Sequence, residues 1–431
     1  MEKRTIAPSI IDFEREYFPC PKEWWCVEGF FTTVKNNKNW SFKGDFCQII
    51  TRSKSEVSIY SMKLFDLTSN KIYEYYSGNY SSKLESAKDK FHVKYDKSYL
   101  GGSFPTYQMY LNDPKNNLDL DIEYHAESLP YWVAQQVTNG WLPWGLGYYR
   151  YGFIPKNDIT GTIKIDNELF SIKGKGYLEH IFGDFSFLNL KASKISTKKI
   201  ISIYAKLFDW WIRNQKIEIP KSIMFCTDNR PFGYDWLWAV LDNGWSLFYG
   251  NIISWVAEGP TAGVLILSKN GTKYNEFGNI RFKYITMKYI PEYDFYYPTE
   301  LEIISAKGNE KLYLHFKNTS EGFEDIGKSP NRKGIIGYVI CQVPCTVEGY
   351  YFDGVEKISI SGNSKMEFHR LLHVFGHNSL RFDFKLSKNC FGIMSNFDSH
   401  YFGKKIDINL KILPGPKLKI NYNRINKSQL K

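Results

Sequence analysis

The sequence predicts an all-β protein: two antiparallel domains with one amphipathic helix inserted between them. Three observations predict it. Turn pairs recur between apolar runs, Asp166-Asn167 in TGTIKIDNELFSIKG, Asn270-Gly271 in AGVLILSKNGTKYNEF and Asp353-Gly354 in TVEGYYFDGVEKISISG, and such pairs close two-residue hairpins because they tolerate positive φ. The run IDINLKIL, residues 406–413, sets Ile406, Ile408, Leu410 and Ile412 on one face, the period of a half-buried strand. Aromatic residues form 17% of the chain against 23% charged, with 32 glycines, a composition of globular, strand-rich chains and not of disordered ones.

Taken in order, the chain opens with MEKRTIAPSIIDFEREYF, which lacks an apolar signal core, and it contains no long apolar run. Neither secretion nor a membrane span is predicted, and the expected location is cytoplasmic. The segment EWWCVEGFFTTVKNNKNWSF, residues 23–42, is echoed by YDWLWAVLDNGWSLFYGNI, residues 234–252: clustered tryptophans, a strand, a polar turn, another Trp. The echo predicts two similar domains. GWLPWGLGYYRYG, residues 140–152, is looped by its glycines and proline while its aromatics must pack.

In GKGYLEHIFG, residues 174–183, a strand would turn Glu179 and His180 to opposite faces, Glu179 with Tyr177 and Ile181, His180 with Leu178 and Phe182. Both sets are apolar, so periodicity leaves the inward residue open. In residues 197–215, Ile200, Ile203, Tyr204, Leu207, Phe208 and Trp211 fall at helical spacing opposite Lys199, Ser202, Lys206, Asp209 and Arg213. Such a helix caps a core, lids an apolar cavity, or lies on a membrane surface through 197–213. The expected domains are 1–190, an inserted helix and linker over 191–229, and 230–431, consistent with 431 residues.

Lys and Arg total 56 against 45 acidic residues, a net charge of +11, but no dense basic block or nucleic-acid motif accompanies it, so no nucleic-acid partner is expected. Seven cysteines without a CxxC pair read as reduced core residues. His369, His373 and His377 are spaced by four. On a strand that spacing is too long for one ion, so no metal is expected. Nucleotide-cradling, nucleophile-elbow and zincin motifs are missing, and no cofactor is implied.

Three landmarks then carry a resemblance. Glu23-Trp24-Trp25-Cys26, the segment ending Glu179-His180-Ile181-Phe182-Gly183, and Gly233-Tyr234-Asp235-Trp236 followed by LWAVLDNG resemble, in order, the landmark segments of the carotenoid 1,2-hydratase (hydroxyneurosporene synthase) family of lipocalin-like proteins. GKGYLE is also similar to a segment of tocopherol cyclases. The resemblance spans residues 20 to 315. It departs where Glu179 replaces Asp, where Phe182 replaces Trp, and where a longer segment with the helix separates the second and third landmarks. It implies two tandem lipocalin-like β-barrels and a hydrophobic ligand, an isoprenoid, polyene or other lipid, hydrated or cyclised without cofactor by a monomer or homodimer. A non-catalytic carrier or protective protein for a hydrophobic ligand is the alternative.

Hydration of a trisubstituted alkene needs an acid to form a tertiary cation and aromatic faces to stabilise it, each desolvated face contributing on the order of 1–2 kcal/mol. Asp235, between Tyr234 and Trp236, is the first candidate acid. The resemblance implies His180 to position or reprotonate it, with Glu179 and Tyr234 as further candidates. Trp24, Trp25, Trp141, Trp144, Tyr148, Tyr149, Phe182, Trp236 and Trp238 are the expected ligand lining.

Overall fold

In the computed structural model of the protein the described residues are 10–50, 56–79, 84–87, 91–144, 147–184, 196–214, 222–226, 233–252, 262–290, 295–319, 325–328, 336–373, 378–387, 390–399, 404–411 and 417–424. The fold is all-β, with two curled antiparallel sheets of lipocalin-like type. The chain divides into two compact units. One comprises Met1–Arg213, Trp238–Leu247 and Ile266–Asn275, the other Asn214–Leu237, Phe248–Leu265 and Glu276–Lys431.

The first sheet contains β1 (Lys22–Thr33), β2 (Asn39–Ile50), β3 (Glu56–Asp66), β4 (Lys71–Asn79), β5 (Leu84–Ser86), β6 (Phe91–Tyr95), β7 (Ser98–Ser103), β8 (Thr106–Asp113) and β9 (Leu118–Ala126). The short β10 (Tyr131–Trp132) and β11 (Trp141–Trp144) precede the long hairpin of β12 (Gly147–Ile165) and β13 (Glu168–Asp184). Their order is β4-β3-β2-β1-β13-β12-β9-β8-β7-β6-β5, with β10 and β11 beside β12. Its ends meet through side chains, Ser77 on β4 with the Tyr95 hydroxyl on β6 at 2.7 Å, and the Leu84 amide donating to Ser58 on β3 at 3.3 Å.

Alternation decides which face is inside. On β9, Leu118, Leu120, Ile122, Tyr124 and Ala126 are buried while Asp121, Glu123 and His125 are exposed; a one-residue slip would reverse both sets. The interior is filled with side chains, among them Trp25, Tyr60, Tyr107, Tyr124 and Trp132. Gly176 makes room for one of them, since a Cβ there would lie 2.5 Å from the Tyr124 ring, whose hydroxyl donates to Glu28 O at 2.7 Å. A short helix α1 (Ile10–Glu14), not foreseen in the sequence, plugs this interior with Phe13. It is pinned by Glu14, which accepts from the Phe104 amide at 2.6 Å and the Tyr107 hydroxyl at 2.9 Å.

A four-residue helix, α2 (Gln135–Thr138), precedes β11, and α3 (Thr197–Asn214) is the helix read from the sequence. It buries Ile200 and Ile203. Of the apolar face expected there, Tyr204 and Phe208 are instead exposed, in a stripe with Ile201 and Ile212 at 63, 44, 59 and 45% for residues 201, 204, 208 and 212. The side chain of Trp211 lies outside the described residues.

Beyond β14 (Ser222–Cys226), the second large sheet uses β15 (Gly233–Leu241), β16 (Ser246–Ile252), β17 (Ala262–Ser268), β18 (Asn275–Phe277), β19 (Asn279–Ile290), β20 (Phe295–Lys307), β21 (Glu310–Asn318), β22 (Asp325–Lys328), β23 (Ile336–Phe352) and β24 (Lys357–His373). Its order is β18-β17-β16-β15-β24-β23-β21-β20-β19, with β22 beside β23. The sheet curls until β19, at one end, reaches β15 and β16: Phe282 stacks on Tyr249 at 5.4 Å and Tyr284 reaches Asp235.

The two orders correspond. In each, a four-strand run ends on a strand (β1 or β15) that lies beside the second strand of a long hairpin (β12–β13 or β23–β24). The sequence echo of residues 23–42 and 234–252 falls on β1–β2 and β15–β16, so it marks a topological repeat. A third sheet, β14 with β25 (Asn378–Ser387), β26 (Cys390–Ser399), β27 (Lys404–Lys411) and β28 (Lys417–Arg424), was not distinguished in the sequence. The alternating run supplies, through residue 411, its β27, antiparallel to β26 and β28, and Ile412 lies outside the described residues.

Candidate functional site

The strand reading of GKGYLEHIFG holds, and β13 presents two polar sites back to back. His180 opposes Trp25 on β1 and Gly152 on β12, points inward with Leu178 and Phe182, and is fully buried. Its Nδ1 lies 2.6 Å from Phe13 O and its Nε2 2.8 Å from Glu23 Oε1. A carbonyl only accepts, so Nδ1 carries a proton; the Nε2 contact is a proton shared with a carboxyl that also accepts the Tyr17 amide at 2.8 Å. Trp25 stacks on the imidazole at 5.1 Å, Phe13 meets it edge-on at 6.0 Å, and Tyr17 lies flat on Phe182 at 3.5 Å. Both ring nitrogens are engaged in a dry core.

On the opposite face Glu179 accepts hydrogen bonds from the hydroxyls of Tyr151 on β12 and Tyr177 on β13, the latter at 3.2 Å, and from Trp24 Nε1 on β1 at 3.4 Å. The two phenols are themselves 2.9 Å apart. Burial, then the charge of Glu179, holds both phenols well above their usual range, so they remain neutral donors. Tyr149 is raised by the same two causes. Glu179 and Tyr151 each retain 8% exposure where His180 has none, so this is the less sealed face of β13.

In the second unit, β15 repeats the arrangement. Asp235 is 2% exposed; its Oδ2 accepts from Asn251 Nδ2 at 3.1 Å and the Tyr284 hydroxyl at 2.5 Å, and its amide donates to Asn251 Oδ1 at 2.9 Å. Asn251 also donates to the Tyr249 hydroxyl at 3.0 Å. Tyr234, its neighbour, points the other way: its hydroxyl donates to Glu367 on β24, which also accepts from Gln342 on β23, and its ring stacks on His369 at 4.9 Å. Glu179 and Glu367 therefore occupy matching places. Each is a carboxylate on the second hairpin strand, bound by one side chain from the first hairpin strand and one from the strand alongside.

The expected residues are distributed accordingly. His180 and Asp235 fall in different units, and the polar partners named above for each come from its own unit. Trp25 is 1% exposed. Trp238 is fully buried, donates to Pro155 O at 2.7 Å and packs on Phe30 and Tyr177 at 5.8 and 5.3 Å. Trp236 meets Phe248 at 6.3 Å, and Trp141 lies edge-on to Tyr148 and Phe182 at 5.2 and 5.7 Å. The side chains of Trp144 and His373, and residue His377, lie outside what is described. Tyr151, Glu367 and Gln342 were not singled out from sequence, and Glu23 and Tyr177 were read there only as part of a landmark and as a companion of Glu179, without a site role.

No protein-family model and no curated protein sequence matches the chain. Solved structures do. A protein described as AttH from Nitrosomonas europaea superposes with a TM-score of 0.57 at 16% identity, covering 82% of this chain and 94% of that one. Kievitone hydratase from Nectria haematococca gives 0.53 at 12% identity, covering 82% and 89%. The likeness is one of fold. The lipocalin-like architecture expected from the three landmarks is thereby supported at the level of fold, without a carotenoid assignment.

Proposed function

We propose that the protein is an enzyme that adds a proton to an alkene of an elongated apolar substrate, of isoprenoid or polyene type, with Glu179 as the acid. The observation that carries this reading is the Glu179 carboxyl held between two phenols and an indole on the less sealed face of β13. Glu179, a charged acceptor of three hydrogen bonds at rest, takes up a proton from water and transfers it to the less substituted alkene carbon, leaving a tertiary cation beside the rings of Trp24 and Tyr149. Water then attacks the cation and returns a proton to the carboxylate; the net change is addition of one water. If an internal hydroxyl attacks instead, the product is a ring and no water is consumed. Carboxyl and phenol chemistry suffice for either outcome, so the reading requires no cofactor. The fold shared with kievitone hydratase is consistent with it.

In this reading His180, Glu23 and Asp235 hold the two interiors together, because at 0, 0 and 2% exposure they are sealed more deeply than Glu179. The test uses a panel of prenylated phenols and acyclic polyenes, beginning with any lipid that co-purifies. Glu179→Gln is expected to bind as the parent binds and to lose turnover by about 10²- to 10⁴-fold, the range for a general acid. A carrier, the competing reading, would bind the same compounds and leave them unchanged in parent and variant alike.

A further inference from the structure

A cavity of about 350 Å³ lies between α3 and the segment before β12, lined by Thr138, Trp141, Ser196, Lys199, Ile203 and Lys206 together with Lys198 and Ser202. Its chemistry is unlike that of the Glu179 face. Three lysines converge on it, and none has a carboxylate partner among the described residues. Lys199 is instead held on aromatic faces, its ammonium 3.5 Å from the Trp141 ring centre and 4.3 Å from that of Tyr148. Partial burial, and then the like charge of Arg150, lowers its pKa. Three ammonium groups are therefore gathered here without a carboxylate partner among the described residues, and a bound anion would supply one.

The remaining walls suit the same ligand. Ser196 caps α3, its side chain accepting the Lys199 amide at 3.3 Å, so the positive end of an eighteen-residue helix opens beside the lysines. Ser202 contributes a hydroxyl, and Trp141 and Ile203 an apolar wall, while the Thr138 hydroxyl donates to Ala134 O at 3.2 Å. Several point charges with hydroxyl donors fit a phosphoryl group better than a single carboxylate, which is most often matched by one planar Arg fork. Lys206 and Ile201 are five positions apart, about 140° around the helix. Lys206, and Lys199 two positions before Ile201, thus lie on the side of the helix away from the exposed Ile201–Ile212 stripe, which favours a soluble ligand over a bilayer headgroup.

We infer that this cavity binds the phosphate or diphosphate group of a small molecule, with Lys198, Lys199 and Lys206 as its counter-charges. The site stands apart from the Glu179 reading, and its binding is expected to survive Glu179→Gln. Isothermal titration of the full chain with inorganic pyrophosphate and with inorganic phosphate tests it, alongside Lys206→Gln and the double variant Lys199→Gln/Lys206→Gln. Lys206 is exposed on the helix, so its single variant keeps the test valid if loss of Lys199 disturbs the fold. Pyrophosphate is expected to bind the parent, and each lost lysine to weaken binding about tenfold, the scale of one charge-assisted hydrogen bond. Two results would overturn the inference: equal affinity in parent and variants, or no pyrophosphate binding by a parent that still floats with phosphatidic acid vesicles in a Lys206-dependent way.

Discussion

At the scale of single residues, adjacent side chains on β13 take opposite parts. His180 and Glu23 form a buried pair whose charges or shared proton have no water to turn to. Removing one member strands the other, which costs about 3–5 kcal/mol. His180→Ala should therefore lower the urea midpoint by that equivalent, and any activity it loses should follow the fraction unfolded. An inactive His180→Ala protein with the parent's stability would make His180 catalytic. Glu179→Gln keeps a polar group beside Tyr151 and Tyr177 and should alter stability by less than about 2 kcal/mol while abolishing turnover. The sequence showed that the two side chains must face apart, since strand period leaves no alternative. Which face is sealed was illegible, because the seal is Phe13 from α1 and Tyr17 just after it, distant in sequence from β13.

At the scale of elements, the central hairpins and α3 show how far periodicity reaches. The helix was legible from its spacing, yet its apolar arc is wider than the core it meets, and Ile201, Tyr204, Phe208 and Ile212 stay exposed. Docking of this stripe on a lipid surface is the expected consequence. Phe208→Ser combined with Ile201→Ser should reduce flotation with phosphatidylserine vesicles at least severalfold; flotation unchanged by both substitutions would reject the contact. The matching of β1–β2 with β15–β16 was hinted at by the tryptophan echo. The matching of Glu179 with Glu367 was hidden, because Tyr151 and Gln342, their partners on the neighbouring hairpin strands, share no residue type. Glu367→Gln tests whether the second carboxylate also serves the reaction: kcat unchanged would confine the chemistry to Glu179.

At the scale of the whole molecule, composition and turn chemistry were enough for an all-β, twice-repeated fold, whereas the five-stranded third sheet left no signature beyond one alternating run. The thiols carry a global prediction. Burial pushes Cys47 and Cys345 up to about 12 and Cys26 well above 9. A thiol whose folded pKa exceeds its unfolded value adds stability that is fully present below the unfolded pKa and is lost as pH rises through the folded one. Stability should accordingly decline from about pH 9 toward 12, read by urea denaturation, and these thiols should resist a thiol reagent at pH 8 until the chain unfolds. The central claim is that Glu179 drives protonation of carbon, and turnover in deuterium oxide reports on it most directly. The account predicts a product bearing one deuterium on carbon, formed by the parent and missing with Glu179→Gln; a substrate recovered without deuterium from the parent, or labelled equally by the variant, would contradict it.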